Sequence, residues 1–159
     1  MKTIILGIGN PILGDDGIGI HIVRKIKEMQ DLHENITIDE AQTGGMNLLD
    51  LMRGYEKAIL VDAVCLHDAS HGAIKRFSIH DLPTIHSCNP HDVSLIEALD
   101  LGKKMDDTSI PDDIVIIGIN LQTLPLEFSE SLSPHISSII PKAIEIVLAE
   151  LNNVHQHVE

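Results

Sequence analysis

The residues best suited to chemistry begin in one stretch, Gly7-Ile8-Gly9-Asn10-Pro11-Ile12-Leu13-Gly14-Asp15-Asp16-Gly17-Ile18-Gly19. It follows an apolar strand, Lys2 to Leu6, and runs into an amphipathic helix, so it is a strand-to-helix junction. Glycines let the backbone approach whatever lies above the sheet, and Pro11 breaks the strand. A dinucleotide turn needs G-x-G-x-x-G, whereas the glycine after Gly9 is Gly14, two positions late. A pyrophosphate would also meet two negative charges where phosphate sites present bare N–H groups. Two readings remain. The aspartates cap the helix and favour its dipole, which suits Asp15, or Asp16 is aimed at a ligand and needs partners from elsewhere in the chain.

Asp62 is the first partner. It lies near the carboxyl end of an apolar strand, in Ile59-Leu60-Val61-Asp62-Ala63, where a charge is costly unless paired, protonated or bound to a ligand. Alone, it reads equally well as a carboxylate accepting N–H bonds from a neighbouring loop. Asp16 follows strand one and Asp62 ends strand three, so both overlook one crevice. A third partner should come from the next crossover. His91 is preferred because its loop, Ser87-Cys88-Asn89-Pro90-His91-Asp92, joins the helix that returns the chain to the last strand. His67, His71, His80 and His86 compete from loops or the edge strand. Two carboxylates and one imidazole suit a borderline divalent ion such as Zn, Ni or Co and leave coordination positions open. Three ligands without a fourth imply a weakly held or borrowed metal.

The elements that must position these groups follow from hydrophobic periodicity. Helix one is expected from Gly17 to Met29, with Ile18, Ile22, Ile26 and Met29 on one face. Strand two is Asn35 to Asp39, and Glu40 to Gly45 is a glycine-bearing turn into a short helix with Met46, Leu48, Leu49 and Met52. Strand three, Lys57 to Ala63, and a later strand, Ile114 to Ile119, are apolar enough for burial on both faces, as in a parallel sheet. Ala73 to Ile79 reads as an edge strand. A helix beginning near Asp92 carries Val93, Ile96, Leu99 and Leu101. Ser133-Pro134 opens a last helix, expected to run as one kinked helix through Pro141, with residues 152–159 frayed. Alternating strands and helices imply one three-layer α/β/α domain, 1–159, on a mostly parallel sheet. Right-handed crossovers put strands two and three on opposite sides of strand one. Strands one and three then flank a topological switch point, where crevices open outside the carboxyl ends.

The 159 residues suffice for a full core. With 43% hydrophobic and only 2% aromatic residues, the interior must be filled by Ile, Leu, Val and Met. Eleven Lys and Arg against 24 Asp and Glu give a charge of −13, which disfavours nucleic acid and anionic membranes as partners. No apolar run reaches the ~18 residues of a membrane span, and no signal-peptide pattern precedes the first strand. The expected compartment is the cytoplasm. Cys65 and Cys88 form no C-x-x-C and are expected as reduced thiols.

The opening motif, with Val61-Asp62-Ala63 and His91-x-x-x-Leu95, resembles the hydrogenase maturation endopeptidases over nearly the whole chain, including Gly118 after the fifth strand. The resemblance implies a mixed five-stranded sheet of order 2-1-3-5-4 with strand four antiparallel, a phosphorylase/hydrolase-like arrangement. It implies that Asp16, Asp62 and His91 take the positions of the family's metal-contacting acid, aspartate and histidine, as an aspartyl-type protease. It does not carry an acid securely onto Glu40, where Glu40-Ala41-Gln42-Thr43 departs from the family's Asp-Gly-Gly-Thr. The implied partner is the precursor of a NiFe hydrogenase large subunit, cut by a monomer that holds no tight cofactor. The implied metal contact is transient, to nickel in the substrate, with Ni, Zn or Cd able to enter the same site in crystals. Two other classes are a peptidyl-tRNA-hydrolase-like esterase, with His21 roughly placed for its chemistry, and a non-enzymatic nickel or zinc carrier. The first is opposed by the charge, the second by the sparse ligand set. A serine or cysteine protease fares worse, since neither cysteine has a compelling base.

Overall fold

Three apolar runs form the centre of the sheet because each is buried along its length: β1 (Thr3–Ile8), β3 (Lys57–Val64) and β5 (Asp113–Asn120). The computed structural model describes residues 1–29, 31–42, 46–79, 90–123, 125 and 127–153, and for residues 46 and 90–96 the backbone alone. β2 (Ile36–Ala41) alternates half-buried and exposed residues at one edge, and β4 (Ile74–Ser78) forms the other. The order is β2-β1-β3-β5-β4. β1 pairs parallel with β2 and β3, β3 pairs parallel with β5, and β4 runs antiparallel to β5. Among the described residues no helix is long and apolar enough to cross a membrane.

Side-chain alternation along the strands divides the interior into two layers. On one face Ile5, Ile59, Val61, Val115 and Ile117 pack against α1 (Ile18–Lys27), α4 (Pro134–Ser138) and α5 (Ile140–Asn152). On the other, Ile4, Leu6, Ala58, Leu60, Ile114 and Ile116 pack against α2 (Met46–Met52) and α3 (Pro90–Lys104). Each fully buried aliphatic side chain contributes about 1.5–3 kcal/mol. The three-layer α/β/α arrangement is therefore the one the periodicity implied.

Several boundaries move for identifiable reasons. β1 and β2 each extend two residues further because pairing continues through Gly7↔Glu40 and Ile8↔Ala41. A 3-10 turn, Gly14–Gly17, precedes α1, which ends at Lys27 and leaves Met29 exposed. The last helix is not one kinked rod. It divides at Ile139, because Pro141 has no N–H to continue the ladder. Gly118 lies within β5 rather than after it. Cys65 is disulfide-bonded, not a reduced thiol; spacing along a chain says little about distance once loops gather at one edge of a sheet. The other cysteine, Cys88, and residues 154–159 of the tail expected to fray lie outside the described residues.

At the amino edge a buried cation joins three elements. Lys57, fully enclosed at the start of β3, donates to Glu150 Oε1 at 3.0 Å and to the Glu150 carbonyl at 3.1 Å. Arg76 of β4 donates to both Glu150 oxygens at 2.7 and 3.0 Å. α5 is thereby fastened to β3 and β4, and the opposite edge is left to the site.

Candidate active site

The turn after β1 is built around Asn10. Its side-chain oxygen accepts the Ile12 amide at 3.2 Å, its carbonyl accepts the Leu13 amide at 3.1 Å, and its own amide donates to Asp16 Oδ2 at 3.0 Å. Local side-chain acceptance of this kind is why Asn favours turns. Gly9 takes φ +142°, and a Cβ there would lie 2.2 Å from the Asp16 carbonyl, so only glycine lets the turn close over Asp16. Asp16 is 8% exposed. One N–H does not saturate a carboxylate, which offers about four acceptor sites.

Asp15 departs from its expected role as a helix cap. α1 begins after Gly17 with no side-chain cap bond. The Asp15 carboxylate instead accepts the Ser133 amide and hydroxyl, both at 2.7 Å, and so ties the start of α4 to the turn. Sequence gave no sign of this pairing beyond the Ser133-Pro134 helix start.

Asp62 is 1% exposed and stands opposite Gly118 of β5. Alternation places it on the face of Ala58 and Leu60, toward α2 and α3. The 3-10 turn that carries Asp16 packs against β3, and a Cβ on Gly19 would lie 2.1 Å from the Val61 carbonyl. Asp16 and Asp62 therefore stand over the carboxyl ends of adjacent central strands. Among the described residues no Lys or Arg stands at an ion-pair distance from Asp16.

His91 is the second residue of α3. α3 precedes β5, which starts at the amino edge, and its last turn meets the loop before β5, where Ile110 lies against Gly102. Its 15 residues rise about 22 Å, so its first turn lies toward the carboxyl edge. The His91 side chain lies outside the described residues, as do His80 and His86. His67 is exposed. His71 serves the loops: its Nδ1 accepts the Gln122 amide at 3.2 Å, its carbonyl meets His135 Nε2 at 3.0 Å, and the two rings stack at 5.7 Å. Among the described residues no group of three or more His, Cys, Asp or Glu is placed to hold a metal ion.

Two further residues shape this edge. Asn120, fully buried at the end of β5, accepts the Leu66 amide at 2.6 Å and donates to the Ala69 and Ser70 carbonyls at 3.0 Å. It fixes the loop that leaves β3 just after Asp62. An Asn ending a buried strand was the available signal, since a buried amide must find partners. Glu40 is engaged by Arg24, Nε to Oε2 at 3.1 Å and Nη2 to Oε1 at 2.8 Å, a bidentate pair that competes with any metal role.

Comparison with known proteins bears on the family and the fold. A model of the hydrogenase maturation protease family matches residues 20–150. A proposed hydrogenase maturation protease of Methanocaldococcus jannaschii is 34% identical over 93% of this chain and 95% of its own. The hydrogenase 2 maturation protease of Escherichia coli is 27% identical over 95% and 91%. The solved structure of the hydrogenase-maturating endopeptidase HybD from E. coli superposes with a TM-score of 0.83 at 26% identity, covering 96% of this chain and 93% of that one. With that match across nearly the whole length, on a sheet of the order its motifs implied, the chain belongs to the hydrogenase maturation protease family and is a peptidase.

Proposed function

We propose that this peptidase removes the C-terminal extension of a NiFe hydrogenase large-subunit precursor, and that it recognises nickel already held in that precursor. The observation that carries the reading is the placement of two buried acids, Asp16 and Asp62, at the ends of adjacent central strands on the edge where α3 begins. Asp16, Asp62 and His91 would supply oxygen, oxygen and imidazole nitrogen to the substrate's nickel, a donor set suited to a borderline ion. The scissile bond is thereby held in the crevice. One carboxylate would act as general base on water, and the substrate's nickel would supply Lewis acidity to that site. The protein acts as a cytoplasmic monomer without a resident metal. Membership of a peptidase family sets aside the carrier and the tRNA-hydrolase readings.

The test is processing of nickel-loaded precursor by Asp16→Asn and His91→Ala, each checked for folding by circular dichroism. Both are expected to lose tail removal by at least about a hundredfold, the scale of a general acid–base contribution. Full removal by either variant overturns the assignment.

A further inference from the structure

The outer side of the Asp16 turn is paired with a second segment that the proposed chemistry does not use. Leu13 and Ser129 form an isolated parallel bridge. The Ser129 amide donates to the Ile12 carbonyl at 2.8 Å, and the Gly14 amide donates to the Ser129 carbonyl at 2.8 Å. A few residues on, Asp15 holds Ser133. The segment is thus fastened to the acid turn at two points. One residue before the bridge on each side stand Ile12 and Phe128, on backbones separated by the parallel-strand spacing of about 4.8 Å. They are 48% and 81% exposed.

Single exposed apolar residues are ordinary, but this pair has two distinguishing features. The chain has one Tyr, two Phe and no Trp. Tyr55 and Phe77 pack against the core, while Phe128 is held in solvent beside the acids. Charge then indicates what covers it. No Lys or Arg occurs from Thr3 to Val23 or from Met105 to Pro141, the two stretches that meet at the bridge. Asp15, Asp16 and the exposed Glu127 and Glu130, which flank Phe128, give the patch one sign. Such a field attracts a cationic partner and fixes its register.

We propose that Ile12 and Phe128 are the docking platform for the protein substrate, gripping a segment in which an apolar side chain is flanked by Lys or Arg. This rests on the function proposed above and adds its specificity determinant: the platform sets substrate affinity, and the acids set turnover.

The experiment measures both binding and tail removal of nickel-loaded precursor, for wild type, Phe128→Ala and the double variant Glu127→Gln/Glu130→Gln. Phe128→Ala is expected to raise Kd and KM about tenfold with kcat nearly unchanged, the size of a truncated interface anchor. The double variant is expected to bind more weakly and with a flatter salt dependence. Unchanged Kd and KM in Phe128→Ala overturn the platform while wild-type cleavage leaves the function standing. Binding that weakens in Phe128→Ala, for a precursor that wild type holds but never cleaves, supports the platform and overturns the function. Self-association of the wild type that Phe128→Ala abolishes, with precursor binding unaffected, assigns the patch to a second copy and overturns the proposal.

Discussion

Asp15 accepts two hydrogen bonds from Ser133, whereas its neighbour Asp16 accepts the Asn10 amide from within its own turn. One carboxylate holds the fold together across 118 residues, and the other is held by an amide 6 positions earlier in its own turn. Substitution should separate them. Asp15→Ala removes two charge-assisted bonds and should lower stability by about 2–3 kcal/mol, read from urea unfolding, with processing retained wherever the variant is folded. Asp16→Asn keeps the shape and should leave stability within about 1 kcal/mol of wild type, with processing lost. Types and spacing in the chain nominate Asp16 and Asp62 as candidates, because a strand-to-helix junction and a charge inside an apolar run are local patterns, and the fold buries both. The partners of Asp15, Glu40, Asn120 and Cys65 were not legible. Each is set by contacts between segments that are distant in sequence, and periodicity carries no information on these.

At the scale of elements, the site depends on how closely α1 is laid on the sheet. A Cβ on Gly19 would meet the Val61 carbonyl at 2.1 Å and the Ile8 carbonyl at 2.6 Å. Both are backbone atoms of central strands and cannot swing away. Gly19→Ala should therefore cost about 3 kcal/mol through overpacking and lower processing by displacing the Asp16 turn, measured by thermal unfolding beside tail removal. β1, β3 and β5 were readable as buried apolar runs, and right-handed crossovers placed β2 and β3 on either side of β1. The place of β4, antiparallel beside β5, followed from family resemblance rather than from its residues; its mixture of Lys75, Arg76 and Ser78 with Ile74 and Phe77 indicated only an edge. The 3-10 turn and the division at Ile139 escaped because both depend on local backbone geometry within a pattern that remains helical in period.

The whole molecule is organised with a structural clasp at its amino edge and the acids at its carboxyl edge. Burial alone would raise the Glu150 pKa, but hydrogen bonds from Arg76 and Lys57, reinforced by their charges, hold it at about 2 against an ordinary 4.5. A folded-state pKa below the unfolded value means stabilisation that is complete above pH 4.5 and lost as pH falls toward 2. Glu150→Gln leaves Lys57 buried with a weakened partner set and should destabilise by about 3–5 kcal/mol at neutral pH. The difference in urea midpoint between wild type and variant should shrink as pH falls from 4.5 toward 2. At the other edge, the most direct measurement is tail removal from one hydrogenase large-subunit precursor prepared with and without nickel, each incubated with this protein and read by mass spectrometry. Release of the C-terminal peptide from the loaded precursor alone is the predicted result; equal release from both, or release from neither, contradicts recognition through the metal.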